Sequence, residues 1–364
     1  MKTFIFIIFI IFSTQIIAQD VKKNDTQKES SFIKTEEEKQ KDKAKIAAID
    51  LYKVITIDRD TSYIDTTLTI RKEHIFNFLR RDTFGLLPFA NEGQAYNSLA
   101  FSGANNKINP QFGFLAKHFN YLETNQIKYF SVPTPLTELY FKSVMEQGQS
   151  LDAFLTLNTN ERLNYAVAYK GLRSFGKYTN TLSSTGNFRF STNYSTKNGR
   201  YRLLAHIAVQ DITNGENGGI SKNSEFENDG SIFRDRARLQ IFTRDAASLL
   251  KGNRYFINNS YRINAKQSKN NLFIEHTLAL ENKQYTYTQP TLLSSLSTTG
   301  VPDIFVSRYG DSYVSSNIND TSNFNETKNV VAAVYNSNIA GKLKFFVDNT
   351  IFNYFYKTIL IQNN

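Results

Sequence analysis

Residues 162–170 read Arg162-Leu163-Asn164-Tyr165-Ala166-Val167-Ala168-Tyr169-Lys170, and this stretch decides the fold. Because strand side chains alternate between two faces, one face would be aliphatic and aromatic and the other polar. The apolar set is Leu163, Tyr165, Val167 and Tyr169, and the polar set includes Arg162, Asn164 and Lys170. A soluble sandwich also alternates, but a transmembrane barrel places aromatic residues against lipid and polar residues towards a water-filled lumen. The pattern therefore favours a strand of a transmembrane barrel.

The N-terminus has the parts of a secretory signal peptide. A short basic start precedes the unbroken apolar run Phe4–Phe12, which leads to the small residue Ala18. This pattern predicts a signal peptide over residues 1–18, cleaved before Gln19. The alternative is a retained membrane anchor, which needs roughly 20 apolar residues, whereas Gln15 interrupts this run. The chain has no cysteine, so it has no disulfide framework and no cysteine to lipidate.

Composition divides the remaining chain into three regions. Residues 19–50 are dense in Lys, Glu, Gln and Asp, which predicts a flexible charged linker because such a segment cannot bury enough apolar surface. Residues 51–126 form an N-terminal region with short β-branched runs, so we expect a β-rich region there. Gly and Pro interrupt residues 80–110, and we expect this stretch to pack at the mouth of a barrel or within its lumen. Residues 127–364 are the predicted barrel.

Strand-like segments follow one another closely after residue 127. Several reach the ~9–11 residues that a tilted crossing of the hydrocarbon layer needs, and no later stretch is long enough for a spanning helix. Long connections alternate with short ones, as in outer-membrane barrels, and no internal repeat suggests a propeller. The predicted fold is all-β, a transmembrane antiparallel up-and-down β-barrel. Its strands are predicted at 127–132, 137–146, 151–158, 162–170, 187–194, 200–210, 236–243, 253–264 and 271–281, with more beyond 300.

Five short segments then carry a family resemblance. They are Phe89-Ala90-Asn91-Glu92-Gly93-Gln94-Ala95-Tyr96-Asn97-Ser98-Leu99, Pro135-Leu136-Thr137-Glu138-Leu139-Tyr140, Arg173-Ser174-Phe175-Gly176-Lys177-Tyr178, Asn198-Gly199-Arg200-Tyr201 and Glu216-Asn217-Gly218-Gly219-Ile220. In this order they resemble the putative porin family of Bacteroidetes-type outer membranes. The resemblance spans most of residues 51–264. It implies an outer-membrane β-barrel described as a porin, and it supplies neither a substrate nor catalytic residues.

The C-terminus departs from that family. Barrels of this kind commonly end on a strand with a final aromatic residue, whereas this chain ends Ile359-Leu360-Ile361-Gln362-Asn363-Asn364. Family members are also typically longer. We therefore expect a truncated member whose barrel is incomplete, with strand 342–356 as an unpaired edge in lipid.

Strand parity selects the candidate pore-lining residues. They are basic residues on strands whose other face is aromatic or aliphatic, and few acids accompany them. The set is Arg162, Lys170, Arg189, Arg202, Arg236, Arg238, Arg254 and Arg262. A ring of cations in a narrow aqueous tube concentrates anions, which predicts a mild anion preference. The alternative is that several of these side chains lie at strand ends and meet lipid phosphates or loop carboxylates.

The connection 211–235 is acidic and rich in glycine. Its candidate constriction residues are Asp211, Glu216, Glu225, Glu227 and Asp229. Folded inward, such a loop would oppose the pore-lining arginines and narrow the channel; left outside, it is a solvated loop.

Catalytic, metal and cofactor sites are not predicted. The four histidines lie far apart without zinc-ligand spacing, and no nucleophile elbow, phosphate loop or dinucleotide fingerprint is present. The net charge of +10 does not indicate nucleic-acid binding in an exported chain, for which lipopolysaccharide phosphates and anionic solutes are nearer partners.

The sequence therefore predicts an outer-membrane porin, not an enzyme, for passive diffusion of small hydrophilic solutes. Its expected partners are outer-membrane lipid, lipopolysaccharide, the solutes and the barrel-assembly machinery. Two alternatives stay open: a barrel that serves as a scaffold or secretion partner without pore activity, and a secreted soluble β-protein that binds glycans.

Overall fold

The computed structural model describes residues 47–100, 112–144, 148–227, 230, 232–264, 270–290, 318–337 and 341–357. The predicted signal peptide, most of the predicted linker and the C-terminal residues 358–364 lie outside these ranges. No helix in the described part of the chain is long and apolar enough to cross a membrane.

Residues 47–135 carry short elements. The strands are β1 (Lys53–Ile55), β2 (Thr61–Tyr63), β3 (Leu86–Pro88), β4 (Tyr96–Ser98) and β5 (Tyr129–Ser131). Short 3-10 helices cover Ile49–Leu51, Ile70–Ile75, Leu115–Asn120 and Thr124–Gln126. Strands β2, β1 and β5 form one small antiparallel sheet, and β3 pairs with β4. A β-rich region was predicted for residues 51–126, and the strands there are short: β1, β2, β3 and β4 have three residues each.

Nine long strands make one antiparallel sheet in chain order, as predicted for an up-and-down arrangement. They are β6 (Leu136–Val144), β7 (Gly148–Asn160), β8 (Leu163–Ser174), β9 (Ser183–Ser195), β10 (Tyr201–Gly215), β11 (Ala247–Arg262), β12 (Asn270–Gln289), β13 (Ile318–Ser337) and β14 (Gly341–Lys357). The expected barrel is not closed among these strands. Strands β6 and β14 are the two edges of the sheet, because successive hairpins add each strand beside the last and nothing described pairs the first with the ninth.

The two ends of the sheet differ in their connections. At one end, called the short-turn end, the connections are 161–162, 196–200, 263–269 and 338–340. At the other, the long-loop end, they include the long segments 216–246 and 290–317. Gly199 in the 196–200 turn has a φ of +63°, which suits the Asn-Gly hairpin turn that the sequence predicts.

The prediction of a strand at residues 236–243 was wrong. Residues Arg236–Arg238 form a 3-10 helix within the long loop, and Asp235 caps it by accepting a hydrogen bond from the backbone nitrogen of Ala237 at 3.2 Å. The alternation that suggested a strand arises because Leu239 and Ile241 are buried. The loop also holds a one-turn helix, α1 (Asn223–Glu227).

Candidate functional site

The large sheet has two faces of opposite polarity. In β8, Asn164, Ala166 and Lys170 are buried, whereas Val167 is 43% exposed and Tyr169 is 47% exposed. The parity predicted from residues 163–170 is therefore confirmed. We call the side bearing Asn164 and Lys170 the polar face and the side bearing Val167 and Tyr169 the apolar face.

The apolar face continues from strand to strand. Val167 pairs with Phe190, Phe190 with Ile207, Ile207 with Tyr255, and Tyr255 with Leu280. Large apolar side chains remain exposed on it across the sheet. They include Leu139, Phe141, Val167, Tyr169, Phe188, Ile207, Val209, Tyr255, Ile257, Tyr261, Ile274, Leu280, Val331, Leu343, Phe345 and Val347. An apolar surface of this extent marks contact with lipid or with another protein.

Residues from the N-terminal region cover the polar face. We call the described residues 47–100 and 112–135 the N-terminal segment. Polar side chains of the sheet bind its backbone: Ser191 Oγ donates to the carbonyl of Lys128 at 3.0 Å, and Asn193 Nδ2 donates to that of Phe130 at 3.3 Å. The polar face is thus covered by protein along this segment.

Gln210 on β10 holds the centre of the N-terminal segment. Its side-chain oxygen accepts from the backbone nitrogen of Leu122 at 2.8 Å, and its Nε2 donates to the carbonyl of Leu122 at 2.9 Å. Nearby, the hydroxyl of Tyr129 contacts Nδ1 of His206 at 2.7 Å. Both strand residues are buried, so these bonds replace water that a free polar face would bind.

Stretch 89–99, the first of the family-like segments, is anchored at the long-loop end. Asn91 Nδ2 donates to the carbonyls of Ser174 at 3.0 Å and Thr181 at 2.8 Å, and Ser174 Oγ donates back to Asn91 Oδ1 at 2.7 Å. Gly93 has a φ of +79°, and a Cβ there would lie 1.9 Å from a methyl carbon of Leu172. The described part of 80–110 therefore packs on the polar face, as expected.

The middle of the polar face holds the central charge cluster, in which the buried side chains Tyr121, Arg254, Glu281 and Lys283 meet the partly exposed Glu123. Arg254 Nη2 lies 2.6 Å from Glu281 Oε1 and 3.4 Å from Glu123 Oε2. Lys283 Nζ lies 3.1 Å from Glu123 Oε1, and the hydroxyl of Tyr121 donates to Glu281 at 2.8 Å. Two strands and the N-terminal segment therefore share this cluster.

Burial keeps Tyr121 in its donor form. The pKa of its phenol lies well above the ordinary value, chiefly because of burial and next because of Glu281. The ring also covers Gly252 on β11, where a Cβ would come within 2.0 Å of the tyrosine oxygen. A glycine at this position lets the N-terminal segment approach the sheet closely.

Two further ion pairs involve the N-terminal segment. Arg80 Nη2 lies 2.5 Å from Glu138 Oε1 at the β6 edge. Lys117 Nζ lies 2.7 Å from Glu216 Oε1 at the long-loop end, and it also contacts Asn214 and Ser248. Burial lowers the pKa of the Lys117 ammonium, and Glu216 opposes that shift.

The predicted pore-lining residues divide into two groups. Lys170, Arg189, Arg202, Arg254 and Arg262 lie on strands with their side chains on the polar face. For Arg162, Arg236 and Arg238 the predicted strand position was wrong. Arg162 is exposed in the two-residue turn that reverses the chain between β7 and β8, and the other two lie in the capped 3-10 helix of the long loop.

Several of the arginines and lysines on the polar face already have partners. Arg189 Nη2 lies 2.9 Å from Asp152 Oδ1 on β7. Lys170 Nζ lies 4.3 Å from the ring centre of Phe78. Arg254 belongs to the central charge cluster. Arg202 and Arg262, near the short-turn end, have no carboxylate within 4.0 Å in the described residues.

The predicted constriction residues are dispersed. Asp211 lies on β10 with its side chain on the apolar face, paired in register with Lys251. Glu216 turns to the polar face and binds Lys117. Glu225 and Glu227 lie in α1, where Glu225 accepts from the backbone nitrogen of Gln240 at 3.1 Å. Asp229 lies outside the described residues.

The sequence did not indicate the partners in the N-terminal segment, namely Arg59, Arg80, Lys117, Tyr121 and Glu123. Their stretches have no strand periodicity. The one local signal is at Glu123, where a capping box with Gln126 begins a 3-10 helix. Within the part of the chain that the structure describes, no three His, Cys, Asp or Glu side chains are grouped as a metal site would require.

An antiparallel meander with polar residues on its covered face and apolar residues on its open face has the organisation of outer-membrane barrel strands. Comparison with protein families agrees with this class. The family model described as Putative porin matches residues 48–364, and the chain belongs to this family. Searches of the curated proteins and of the solved structures gave no match.

Proposed function

We propose that the chain works in the outer membrane as a porin, through which small hydrophilic solutes diffuse passively along the polar face of the large sheet. The observation that carries this proposal is the reversed polarity of the sheet. Its covered side chains include Asn164, Gln210 and Arg254, whereas Val167, Tyr255 and Phe345 are exposed. Such a sheet is favourable when its apolar face meets hydrocarbon and its polar face meets water or a polar plug.

The height of the apolar band supports this placement. On β10 the apolar-face residues extend from Tyr201 to Val209, a rise of ~27 Å along the strand. At the tilt of ~35–45° found in outer-membrane barrels, this gives roughly 20 Å along the membrane normal, close to the ~25 Å of the usual band. The band would contact lipid, and the strand ends would contact lipopolysaccharide.

The N-terminal segment would restrict the solute pathway. It lies on the polar face and is held there by Gln210, by the central charge cluster and by Lys117 with Glu216. Side chains that would otherwise line a lumen bind this segment. We therefore propose a restricted pore, whose conductance depends on how the N-terminal segment is seated.

A mild anion preference is part of the proposal, in a narrower form than a ring of free arginines. Arg254 and Arg189 are neutralised by acids, so they contribute little net field. The preference would come from Arg202 and Arg262 near the short-turn end, which have no such partner in the described residues.

The covering of the polar face also favours a second candidate, a barrel that serves as a scaffold or secretion partner and conducts little. The exposed apolar face argues against a soluble glycan-binding protein. Current through the protein separates the two membrane functions.

The test is single-channel recording of the chain from Gln19 onward, refolded in detergent and added to a planar bilayer under a salt gradient. We expect discrete ohmic steps of small amplitude and a reversal potential on the anion-selective side; a heat-denatured sample is the control. Silence from a folded, β-rich protein would favour the scaffold, and a cation-selective reversal potential would contradict the anion preference.

A further inference from the structure

Three arginines gather on the polar face near the short-turn end. Arg202 on β10 pairs in register with Ser260 on β11, and Arg262 is the next residue of β11 on the same face. Arg59 of the N-terminal segment reaches Asn258, the preceding residue of β11 on that face. Arg59 and Arg202 line one cavity together with Ser260, and Arg262 follows Ser260 on the same face of β11. Among the described residues, none of the three guanidinium groups lies within 4.0 Å of a carboxylate.

These guanidinium groups keep unused donors. Arg59 Nη2 donates to Asn258 Oδ1 at 2.5 Å, and Arg262 Nη2 donates to the carbonyl of Asn198 at 3.2 Å. The Nε atoms of Arg59 and Arg262 are buried without a hydrogen-bond partner in the part of the chain described. Arg202 lies 5.8 Å from the ring centre of Phe273. A buried unpaired donor is costly, so a ligand that accepts these hydrogen bonds would be stabilised.

A cavity of about 180 Å³ lies beside this cluster. Its lining includes Arg59, Arg202, Ser260, Phe273 and Lys342. At ~30 Å³ per water, the space would hold about six waters, which is enough for an oxyanion group and the first atoms of its carrier.

Three carboxylates also line the cavity, and among the described residues none lies within 4.0 Å of the arginines, although Glu275 attracts the Arg59 charge from farther away. Asp58 and Asp60 are exposed. Glu275 lies 3.5 Å from Nζ of Lys344 and is engaged there.

The arginines repel one another. Electrostatic repulsion acts between Arg262 and Arg202 and between Arg202 and Arg59. The pKa of Arg59 is lowered to about 10, first by burial, with Glu275 opposing the shift and Arg202 adding to it. A bound anion would offset both the burial and the repulsion. Guanidinium groups bind phosphate and carboxylate in planar, two-pronged geometry, which suits these ligands better than a chloride ion.

We propose that this cavity is a subsite for the phosphate or carboxylate group of a small solute, bound by Arg59 and Arg202 with Arg262 adding positive potential. Its role as a stopping point for anionic solutes rests on the proposed function. Binding of the anion itself does not, because it requires only the folded chain.

The test is calorimetric titration of the mature chain in lipid-free maltoside micelles at low ionic strength, with inorganic phosphate and acetate as probes. We expect saturable binding of phosphate. Arg202→Gln should weaken it about tenfold or more, because a charge-assisted pair of hydrogen bonds is lost. Arg202→Lys should recover only part of the affinity. Arg173→Gln is the matched control, since Arg173 is an exposed arginine at the end of β8, and its affinity should equal that of the wild type.

Circular dichroism and the heat-dependent shift on gel electrophoresis check that each variant folds. If Arg202→Gln does not fold, Arg59→Gln replaces it, because Arg59 lies outside the large sheet. Absence of saturable phosphate and acetate binding, or equal affinity in Arg202→Gln and Arg173→Gln, would overturn the proposal. A titration in nanodiscs distinguishes the source of the anion. Phosphate binding that persists in both phosphatidylcholine and phosphatidylglycerol discs supports a solute site, whereas binding of anionic lipid alone overturns it.

The porin proposal and the subsite fail separately. A protein that binds phosphate but carries no current would support the subsite and contradict the porin proposal. A protein that conducts but binds no anion would support the porin proposal and contradict the subsite.

Discussion

Buried charges on the polar face depend on the N-terminal segment for their neutralisation. Arg254 has a side-chain exposure of 0% and Lys283 of 10%, and both contact Glu281 of the sheet, beside which Glu326 lies in register. Glu123 supplies a further carboxylate from outside the sheet, and it contacts both Arg254 and Lys283. Because an uncompensated buried charge is strongly destabilising, the docking of the N-terminal segment and the charge balance of the sheet are coupled at this residue.

Glu123→Gln should loosen the N-terminal segment. The substitution keeps the shape but removes the charge that Arg254 and Lys283 share. Because Glu123 is 42% exposed, we expect a loss of about 1–3 kcal/mol rather than the full cost of a buried pair. Thermal unfolding measures the loss of stability, and trypsin cleavage within residues 47–135 measures the loosening of the N-terminal segment. Glu227→Gln, an exposed carboxylate on α1, is the control, and equal behaviour of the two variants would refute the coupling.

Gly252→Ala should displace Tyr121. The added Cβ would lie 2.0 Å from the tyrosine oxygen, so the ring must move and its hydrogen bond to Glu281 is lost. Overpacking of this kind costs about 1–3 kcal/mol. Hydrogen exchange in residues 112–126 should rise in this variant and stay unchanged in Gly85→Ala, where a Cβ meets nothing within 4 Å. Unchanged exchange in both would show that the glycine is not needed for the close approach.

At the residue scale, the sequence predicted on which face of the sheet a charged side chain lies, but not which residue it contacts. Alternation placed Lys170, Arg189 and Arg254 on the polar face because a strand has only two sides. It left open whether they face water or protein, since Phe78 and Glu123 come from stretches without periodicity. A long-range contact of this kind has no local signature.

The strand is the element whose sequence carries most information. In β8 the sequence alternates from Leu163 to Lys170, and burial alternates to the end of the strand even where Leu172 and Arg173 reverse the polarity. The neighbouring strands pair with it in register except for a shift at Asn158/Asn160. Where alternation is short, it misleads. Residues 236–243 alternate because two apolar side chains are buried in a loop, and Asp235 provides a helix cap instead of a strand start.

Val167→Arg should destabilise the protein in a membrane. Val167 lies in the middle of the apolar band, and an arginine on the lipid face of a barrel costs about 2–4 kcal/mol near the bilayer centre. Folding yield into liposomes, read from the gel-mobility shift, measures the effect. Ser224→Arg on the exposed surface of α1 should fold as the wild type does. If Val167→Arg folded equally well, the apolar face would not contact hydrocarbon.

At the scale of the whole molecule, two layers oppose each other: a nine-stranded sheet and the N-terminal segment on its polar face. The family and the order of the long strands followed from the sequence, since hairpins join neighbours in turn. The open edge at β14 also matches the unpaired edge expected for strand 342–356. The open edge at β6 and the contacts of residues 121–130 with the polar face did not follow, because both depend on contacts between residues far apart in the chain.

The measurement that tests the account most directly is the planar-bilayer conductance of the wild-type chain from Gln19 onward beside the double variant Tyr121→Ala/Glu123→Gln. Both substitutions weaken the seating of the N-terminal segment and leave the sheet residues intact. We predict discrete steps in both, larger or longer-lived in the variant. A folded variant that carries no more current than the wild type would contradict the claim that this segment restricts a water pathway along the polar face.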